Sequence, residues 1–167
     1  TRHLEGVEVD HVIFSYHGVP QKTIKRSDEA GVCTFGDCCN TTTAENRYCY
    51  RAQCVATTES IIAALGWNEV SHSIAFQSRF GPLPWIQPYL DEHILELVGK
   101  GVKRLAVVTP SFVSDCLETI HEIGVEYQDQ FKAAGGEKFL LLPNLNDDQA
   151  WFNSVFEISH KHLASQD

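Results

Sequence analysis

The sequence contains 167 residues, of which 43% are apolar and 21% are charged, a composition typical of one globular domain rather than of a disordered chain. The net charge of −9 argues against binding to nucleic acid or to a membrane surface through a basic patch. No apolar run is long enough to span a bilayer and no signal-peptide pattern opens the sequence, so we expect a cytoplasmic location. Because the sequence begins at Thr1 and contains no methionine, we expect a piece of a longer chain.

The first part of the sequence predicts a strand, a long irregular segment and a helix. Residues 7–14 end in an apolar run typical of a strand covered on both faces, and His17 lies on the loop that follows. From Pro20 to Arg51 the apolar period disappears, which predicts a long loop of the kind that is usually functional or disordered. The apolar spacing of residues 57–65 predicts a helix that ends at Gly66.

The middle of the sequence predicts a second strand, a rigid loop, a helix and a third strand. Residues 73–76 are the strand, and the loop of residues 77–88 contains three prolines in seven residues, which prevent regular structure. The apolar spacing of residues 89–98 predicts a helix, and residues 105–109 are predicted to form a strand.

The last part predicts a long helix, a strand and a terminal helix. The long helix runs from about residue 115 to residue 134, the strand covers residues 139–142, and the terminal helix covers residues 151–164. Alternating strands and helices predict an α/β fold, an open parallel four-stranded sheet with flanking helices that resembles half of a Rossmann-like fold.

In such a sheet the loops that leave the carboxyl ends of the strands share one edge, so we expect His17 and Glu118 to converge there. One imidazole facing one carboxylate suits metal delivery or proton removal. Each residue also has a simpler interpretation. His17 is compatible with a polar residue in a strand-end turn, and the spacing of Asp115 and Glu118 matches a capping box at a helix start.

Two further features of this edge have both a structural and a functional interpretation. Glu118, Glu122 and Glu126 recur every four residues, which is typical of a solvated acidic face but also aligns three carboxylates. Trp85 is compatible with a core anchor, or with one wall of a site for a flat aromatic ligand on a rigid proline loop.

Three blocks of the sequence resemble ferrochelatase in order and spacing. They are Ser-Tyr-His-Gly at residues 15–18, Phe-Gln-Ser-Arg-Phe-Gly-Pro-Leu-Pro-Trp at residues 76–85, and Pro-Ser-Phe-Val-Ser-Asp-Cys-Leu-Glu-Thr at residues 110–119, followed by Glu122. The resemblance covers nearly the whole chain but only the carboxyl-terminal half of the enzyme. It therefore implies that residues 1–167 are the carboxyl-terminal domain and that the amino-terminal domain of the same chain is absent.

The resemblance implies the insertion of Fe²⁺ into protoporphyrin IX to form haem, with His17 and Glu118 as the paired catalytic and metal-handling residues. Glu122 and Glu126 become an acidic iron path, and the helix that carries them is expected to widen into a π-type segment. The implied substrate-binding residues are Gln77, Ser78, Arg79, Trp85, Phe112 and Asp115. Oxygen and imidazole ligands agree with this role because they bind Fe²⁺ weakly enough to release it.

Five of the six cysteines, Cys33, Cys38, Cys39, Cys49 and Cys54, lie in 22 residues of a cysteine-rich segment at about residues 31–54. Without a secretory signal, thiolate ligation of a metal is favoured over disulfides. The resemblance implies a [2Fe–2S] cluster held by four of the five, because some bacterial ferrochelatases carry a cluster in an insertion here. Zinc and free thiols remain alternatives.

Two other functions are compatible with the sequence. The first is a chelatase for another tetrapyrrole such as sirohydrochlorin, although the small enzymes of that kind lack the Trp85 loop. The second is a non-enzymatic iron–sulfur sensor or binding module. The expected partners are protoporphyrin IX, Fe²⁺ and the missing domain, and the resemblance leaves a peripheral contact with the inner membrane open.

Overall fold

In the computed structural model, which describes residues 6–165, four parallel strands form one open sheet. The strands are β1 (His11–His17), β2 (His72–Gln77), β3 (Arg104–Val108) and β4 (Lys138–Leu141), and they lie in the order β2-β1-β3-β4. The predicted sheet is confirmed, and each strand overlaps the run that predicted it. The direction of the connections reverses between β1 and β3, which in such sheets is where ligands bind at the carboxyl ends of the strands.

Helical segments follow each strand. They are α1 (Gln21–Ser27), α2 (Tyr50–Leu65), α3 (Leu90–Gly99), a π-helix (Glu118–Tyr127), α4 (Gln128–Ala133) and α5 (Gln149–Ala164). The π-helix implied by the family resemblance is confirmed. None of the helices in residues 6–165 combines the length and the apolar composition that a membrane crossing needs.

The structure corrects two sequence predictions in the segment after β1. Helix α1 lies within residues 20–51, which were predicted to be irregular, and α2 begins at Tyr50 rather than at residue 57. In α1 only Ile24 is buried, so no apolar period exists to reveal the helix. The early turns of α2 bury Ala52 and Cys54, small residues that give a weak periodic signal.

A third correction concerns His17, which is the last residue of β1 and not a residue of the following loop. It pairs in register with Gln77, the last residue of β2. The imidazole is therefore carried by the sheet itself. A side chain on a strand end is held more rigidly than one on a loop.

The alternation of β1 decides which helices meet the carboxyl edge. Phe14 and Tyr16 pack with Ile62 of α2 on one face of the sheet. Ile13 packs on the other face in a cluster that includes Ile94 of α3 and Ile123 of the π-helix. Ser15 and His17 have the same parity as Ile13, so their side chains project towards the face that carries the π-helix.

A buried histidine lies at the opposite, amino-terminal edge of the sheet. His11 is 8% exposed, and its Nδ1 and Nε2 atoms lie 2.8 Å from the hydroxyls of Ser71 and Ser73. Burial, together with the nearby positive charges of His93, His72 and Lys100, lowers the pKa of His11 to about 4. The folded protein therefore holds this imidazole in its neutral form.

We expect this histidine to make folding stability depend on pH. Between pH 6.5 and pH 4 the unfolded chain binds a proton at His11 that the folded chain rejects, so stability falls as the pH falls through that window. The loss from this group is about 3 kcal/mol over the full window. Urea unfolding of wild type and His11→Asn at pH 7 and pH 4.5 measures it, since the variant lacks this part of the loss. His160→Asn, which changes an exposed histidine, is the control and should follow wild type. Equal losses in wild type and His11→Asn would contradict the prediction.

Candidate active site at the carboxyl edge of the sheet

The tautomer of His17 follows from its hydrogen bond. Its Nδ1 lies 2.6 Å from the carbonyl oxygen of Gly18, which can only accept, so Nδ1 carries the proton. In the neutral imidazole this leaves the lone pair on Nε2. His17 can therefore accept a proton or bind a metal ion through Nε2.

The peptide group between His17 and Gly18 is fixed from two sides. The Tyr50 hydroxyl donates to the His17 carbonyl oxygen at 2.7 Å, and the Gly18 amide donates to the Gln77 carbonyl oxygen at 2.8 Å. Position 18 has no room for a side chain. A Cβ there would lie 2.9 Å from the Gln77 carbonyl oxygen and 3.2 Å from Cε3 of Trp85.

The side chain of Gln77 connects β1 to the π-helix. It is 1% exposed, accepts a 2.7 Å hydrogen bond from the Ser15 hydroxyl, and donates through Nε2 to the Glu118 carbonyl oxygen at 2.9 Å. Gln77 thus supports the backbone of Glu118 from inside the protein. The substrate-binding role implied for Gln77 stays a prediction.

Glu118 begins the π-helix on the same edge as His17. Hydrogen bonds from its own backbone amide and from Cys116 lower the pKa of its carboxyl group. The sequence-predicted capping box is wrong. The Asp115 carboxylate instead accepts hydrogen bonds from the Asn146 side chain at 2.8 Å and the Asn144 amide at 3.3 Å, which leaves Glu118 out of a cap.

The other two carboxylates of the π-helix, Glu122 and Glu126, differ in their contacts. Glu122 accepts three hydrogen bonds: from the Ser78 amide at 2.8 Å, the Ser78 hydroxyl at 2.6 Å and the Tyr127 hydroxyl at 2.7 Å. Glu126 lies 3.2 Å from Nδ1 of His121, and both of these side chains are exposed. Glu122 is therefore part of the framework of the site, whereas Glu126 is open to solvent.

Trp85 lies beside the imidazole of His17, with their ring centroids 6.4 Å apart. Its indole Nε1 donates to the Phe80 carbonyl oxygen at 3.0 Å, and the next amide, of Ile86, donates to the Val19 carbonyl oxygen at 3.0 Å. The proline loop is irregular, as predicted, and it is held against the segment that follows β1.

Two other residues implied in substrate binding have partners elsewhere on this edge. Arg79 bonds to Asp91 at 2.8 Å and Glu92 at 3.0 Å and lies over the Tyr89 ring. Phe112 lines a cavity of about 240 Å³ at the ends of β3 and β4. Within residues 6–165, Nδ2 of Asn144 is buried beside this cavity without a hydrogen-bond partner.

The cysteine-rich segment encloses a larger cavity of about 520 Å³, whose cysteines are Cys33, Cys38, Cys39 and Cys49. Cys54 does not line it. Its side chain is 3% exposed and belongs to the apolar core on the α2 side of the sheet. The structure thus separates one cysteine of the five from the other four.

The thiols of Cys38 and Cys39 lie 3.7 Å apart and have different pKa values. A hydrogen bond from Thr34, with support from nearby backbone amides, lowers the pKa of Cys38 to about 6. Burial raises the pKa of Cys39 to about 11. In the part of the chain that the structure describes, no three histidine, cysteine or acidic side chains lie close enough to hold a metal ion without rearrangement.

Sequence reasoning missed three residues of the site: Ser15, Tyr50 and Tyr127. Ser15 carried a signal, since it is a polar residue two positions before His17 in an apolar strand and so shares its face. Tyr50 carried none, because its hydroxyl bonds to a residue 33 positions earlier, and the Tyr127 contact with Glu122 depends on the geometry of the π-helix.

Comparisons with known proteins agree with these features. The family model described as Ferrochelatase matches residues 1–163. The chain is 40% identical to a ferrochelatase of Coxiella burnetii (strain Dugway 5J108-111) over 161 residues, covering 96% of this chain and 46% of that protein. It is 45% identical to a ferrochelatase of Pseudomonas syringae pv. syringae over 151 residues, covering 89% of this chain and 44% of that protein.

The chain thus spans about half the length of the curated relatives it matches. Among solved structures, the cobalamin (vitamin B12) biosynthesis CbiX protein of Marinobacter aquaeolei VT8 is similar, with a TM-score of 0.52. The similarity covers 93% of this chain and 98% of that one at 15% identity. At this identity the likeness supports the fold alone.

The absence of space at position 18 generates a prediction. We expect Gly18→Ala to push the Gln77 carbonyl or the Trp85 ring aside and to lower the unfolding free energy by about 1–3 kcal/mol, the usual cost of overpacking. The Trp85 fluorescence should shift as well. Gly99→Ala is the matched control, since an added Cβ at this helical position meets no atom within 4 Å. Wild-type stability and an unshifted emission spectrum in Gly18→Ala would show that the gap is less rigid than the distances imply.

Proposed function

The chain belongs to the ferrochelatase family, and on that premise we propose that its full-length protein inserts Fe²⁺ into protoporphyrin IX to form haem. The observation that carries this proposal is the placement of His17 and Glu118 at one edge: His17 pairs in register with Gln77, which holds the Glu118 backbone, and the indole of Trp85 lies beside His17. Metal insertion replaces two pyrrole N–H protons of the porphyrin by one Fe²⁺ ion, so the site needs a proton acceptor and a weak metal ligand.

In the proposed function this chain is the carboxyl-terminal domain of a two-domain enzyme. Its coverage of about half of each relative supports this arrangement. Exposed apolar side chains support it too, because a partner domain would cover them. They lie on α5 and at the start of the π-helix: Leu117, Ile120, Phe152, Phe156, Ile158 and Leu163.

We assign proton removal to Nε2 of His17. The hydrogen bond to the Gly18 carbonyl keeps the proton on Nδ1 and the lone pair on Nε2. When Nε2 takes a pyrrole proton, the carboxylate of Glu118 stabilises the imidazolium that forms. The lowered pKa of Glu118 supports this pairing, because it keeps the carboxylate ionised.

We assign iron handling to two carboxylates of the π-helix, the half-buried Glu118 and the exposed Glu126. Carboxylate oxygens hold Fe²⁺ less tightly than thiolates would, which suits an ion that must be released. Glu122 belongs to the same acidic line. Its three hydrogen bonds support a contribution as a fixed negative charge beside the path.

The porphyrin-binding residues in this proposal are those at the same edge. Trp85 offers an aromatic face beside His17, and Phe112 offers a second aromatic side chain at the ends of β3 and β4. Gln77, Ser78 and Asp115 contribute indirectly. Their hydrogen bonds hold the Glu118 backbone, the Glu122 carboxylate and the Asn146 side chain in place, respectively. Arg79, paired with Asp91 and Glu92, is the one cation among the implied substrate residues, and a porphyrin carboxylate would compete for it.

The catalytic assignment predicts the behaviour of two variants in the full-length enzyme. We expect Glu118→Gln and His17→Ala each to lower haem formation by about a hundredfold or more, a typical contribution of a positioned acid–base group. Porphyrin fluorescence under anaerobic conditions measures the rate. Both variants should keep wild-type stability within about 1 kcal/mol, because neither residue belongs to the apolar core. Glu59→Gln, an exposed change on α2, is the control, and near-normal turnover in either site variant would remove the assignment.

We also propose that the cysteine-rich segment binds a [2Fe–2S] cluster through Cys33, Cys38, Cys39 and Cys49. These four cysteines line one cavity, whereas Cys54 is buried in the core. Two thiolates on one tetrahedral metal ion lie about 3.8 Å apart when each bond is about 2.3 Å, and the Cys38–Cys39 separation of 3.7 Å fits that spacing. The lowered pKa of Cys38 also favours a thiolate. When bound, such a cluster supplies one-electron chemistry and a cross-link of the segment.

The cluster proposal predicts a specific analysis. Protein purified without oxygen should contain about two iron and two sulfide ions per chain with visible absorption, as a [2Fe–2S] centre requires. Replacing Cys33, Cys38, Cys39 or Cys49 by Ser should each remove the absorption. Cys54→Ser is the matched control and should retain it. Zinc without sulfide in the wild-type protein would show a zinc site instead of a cluster. Loss of absorption only in Cys54→Ser would overturn the ligand assignment.

A further inference from the structure

The cavity of the cysteine-rich segment and His17 are connected through two adjacent residues, Cys49 and Tyr50. Cys49, which lines the cavity, is the residue immediately before α2, and Tyr50 is the first residue of α2. The hydroxyl of Tyr50 donates to the His17 carbonyl oxygen at 2.7 Å. The side chains of two consecutive residues therefore serve the cavity and the active site.

The wall of the cavity is tied to the same helix turn by further hydrogen bonds. The Asn46 side chain, which is 7% exposed, donates to the Cys38 carbonyl oxygen at 2.7 Å, and the Cys49 amide donates to the Asn46 carbonyl oxygen at 2.8 Å. Arg51 donates to the Gly36 carbonyl oxygen at 3.1 Å. The start of α2 thus moves with the cavity wall.

We propose that Tyr50 is a positioning residue for His17, and that through Tyr50 the occupancy of the cysteine-lined cavity sets the orientation of the imidazole. This inference rests on the proposed function, which gives His17 its role in the reaction. It assigns to the cysteine-rich segment an effect on the proton acceptor rather than a part in the chemistry.

The effect follows from how the imidazole is held. Tyr50 bonds to the carbonyl of the peptide between His17 and Gly18, the amide of that peptide bonds to Gln77, and the next carbonyl holds Nδ1 of the ring. A rotation of this peptide therefore turns the ring. Hydrogen bonds weaken steeply with distance and angle, so a small displacement of Tyr50 is enough to release it.

Filling the cavity requires such a displacement. The thiols of Cys38 and Cys39 lie 3.7 Å apart, but within residues 6–165 no three cysteine, histidine or acidic side chains lie close enough to hold a metal ion. Simultaneous ligation therefore needs these thiols to rearrange, and because Cys49 immediately precedes Tyr50, any displacement of the Cys49 backbone is passed to the start of α2. Ligand binding at the cysteines thereby displaces the Tyr50 hydroxyl.

The test compares Tyr50→Phe with Tyr48→Phe in the full-length protein purified without oxygen. Both variants lose one tyrosine hydroxyl next to Cys49. Tyr48 lines the cavity and is 81% exposed, whereas Tyr50 donates to His17. We expect Tyr50→Phe to lower kcat about threefold to tenfold, the scale of one hydrogen bond, with the KM for porphyrin unchanged. Tyr48→Phe should match wild type.

The second part measures coupling without relying on activity. The ¹H–¹³C NMR signal of the His17 ring, assigned with His17→Ala, should shift in wild type when iron and sulfide are removed by a chelator, and should not shift in Tyr50→Phe. Cys49→Ser should reproduce the shift, and the double variant Tyr50→Phe/Cys49→Ser should be no more impaired than Cys49→Ser. Cys38→Ser replaces Cys49→Ser if that variant does not fold.

Each outcome decides the matter. A kcat of Tyr50→Phe equal to that of Tyr48→Phe, or a His17 signal that shifts equally with and without the Tyr50 hydroxyl, overturns the proposal. If the wild-type full-length protein makes no haem, the proposed function fails. The NMR comparison then still shows whether the cavity acts on His17.

Discussion

The buried amide of Gln77 is the interaction on which the arrangement of the site depends. Its oxygen accepts from Ser15 on β1 and its nitrogen donates to the backbone of Glu118, so one side chain joins β1, β2 and the π-helix. A buried amide left without one of these partners costs about 1–3 kcal/mol. The distance between the histidine on β1 and the carboxylate on the π-helix is therefore set by the sheet. The close approach of Gly18 to the Gln77 carbonyl fixes the same two strands from the backbone side.

The three carboxylates of the π-helix, Glu118, Glu122 and Glu126, differ in their hydrogen-bond partners and in their exposure. Three donors satisfy Glu122, which is the arrangement that holds a charge in place, and the Tyr127 hydroxyl beside it resists ionisation because burial and the charge of Glu122 raise its pKa. Glu118 and Glu126 remain accessible at the two sides of this fixed charge. A wider helix turn also changes which side chains align, so residues four apart need not follow the drift of an ordinary helix.

Apolar patterning was sufficient to predict the sheet, because β1 and β3 are largely buried and contain the apolar runs of residues 12–14 and 105–108. The convergence of His17 and the π-helix at one edge follows from that topology alone. Helix α1 and the first turns of α2 could not be predicted, since the buried residues there are one isoleucine and a few small side chains. The π-helix came from family resemblance, and the partners of Asp115 depended on two asparagines that lie 29 and 31 residues away.

The location of the cysteine-rich segment is itself a consequence of these constraints. A connection between β1 and α2 can lengthen without disturbing any strand pair, and each doubling of a loop costs only about 0.6 kcal/mol. Both ends of this connection, however, lie at the site: it leaves from His17 and returns at Tyr50, whose hydroxyl meets His17 again. Any interaction that orders the segment therefore also fixes the position of Tyr50. A polar segment with few apolar residues has little hydrophobic burial with which to do so, and Asn46, with its hydrogen bonds to Cys38, Thr41 and Thr43, supplies the order within the loop. His17 is consequently held by the sheet on one side and, through the Tyr50 hydroxyl, by the end of this loop on the other.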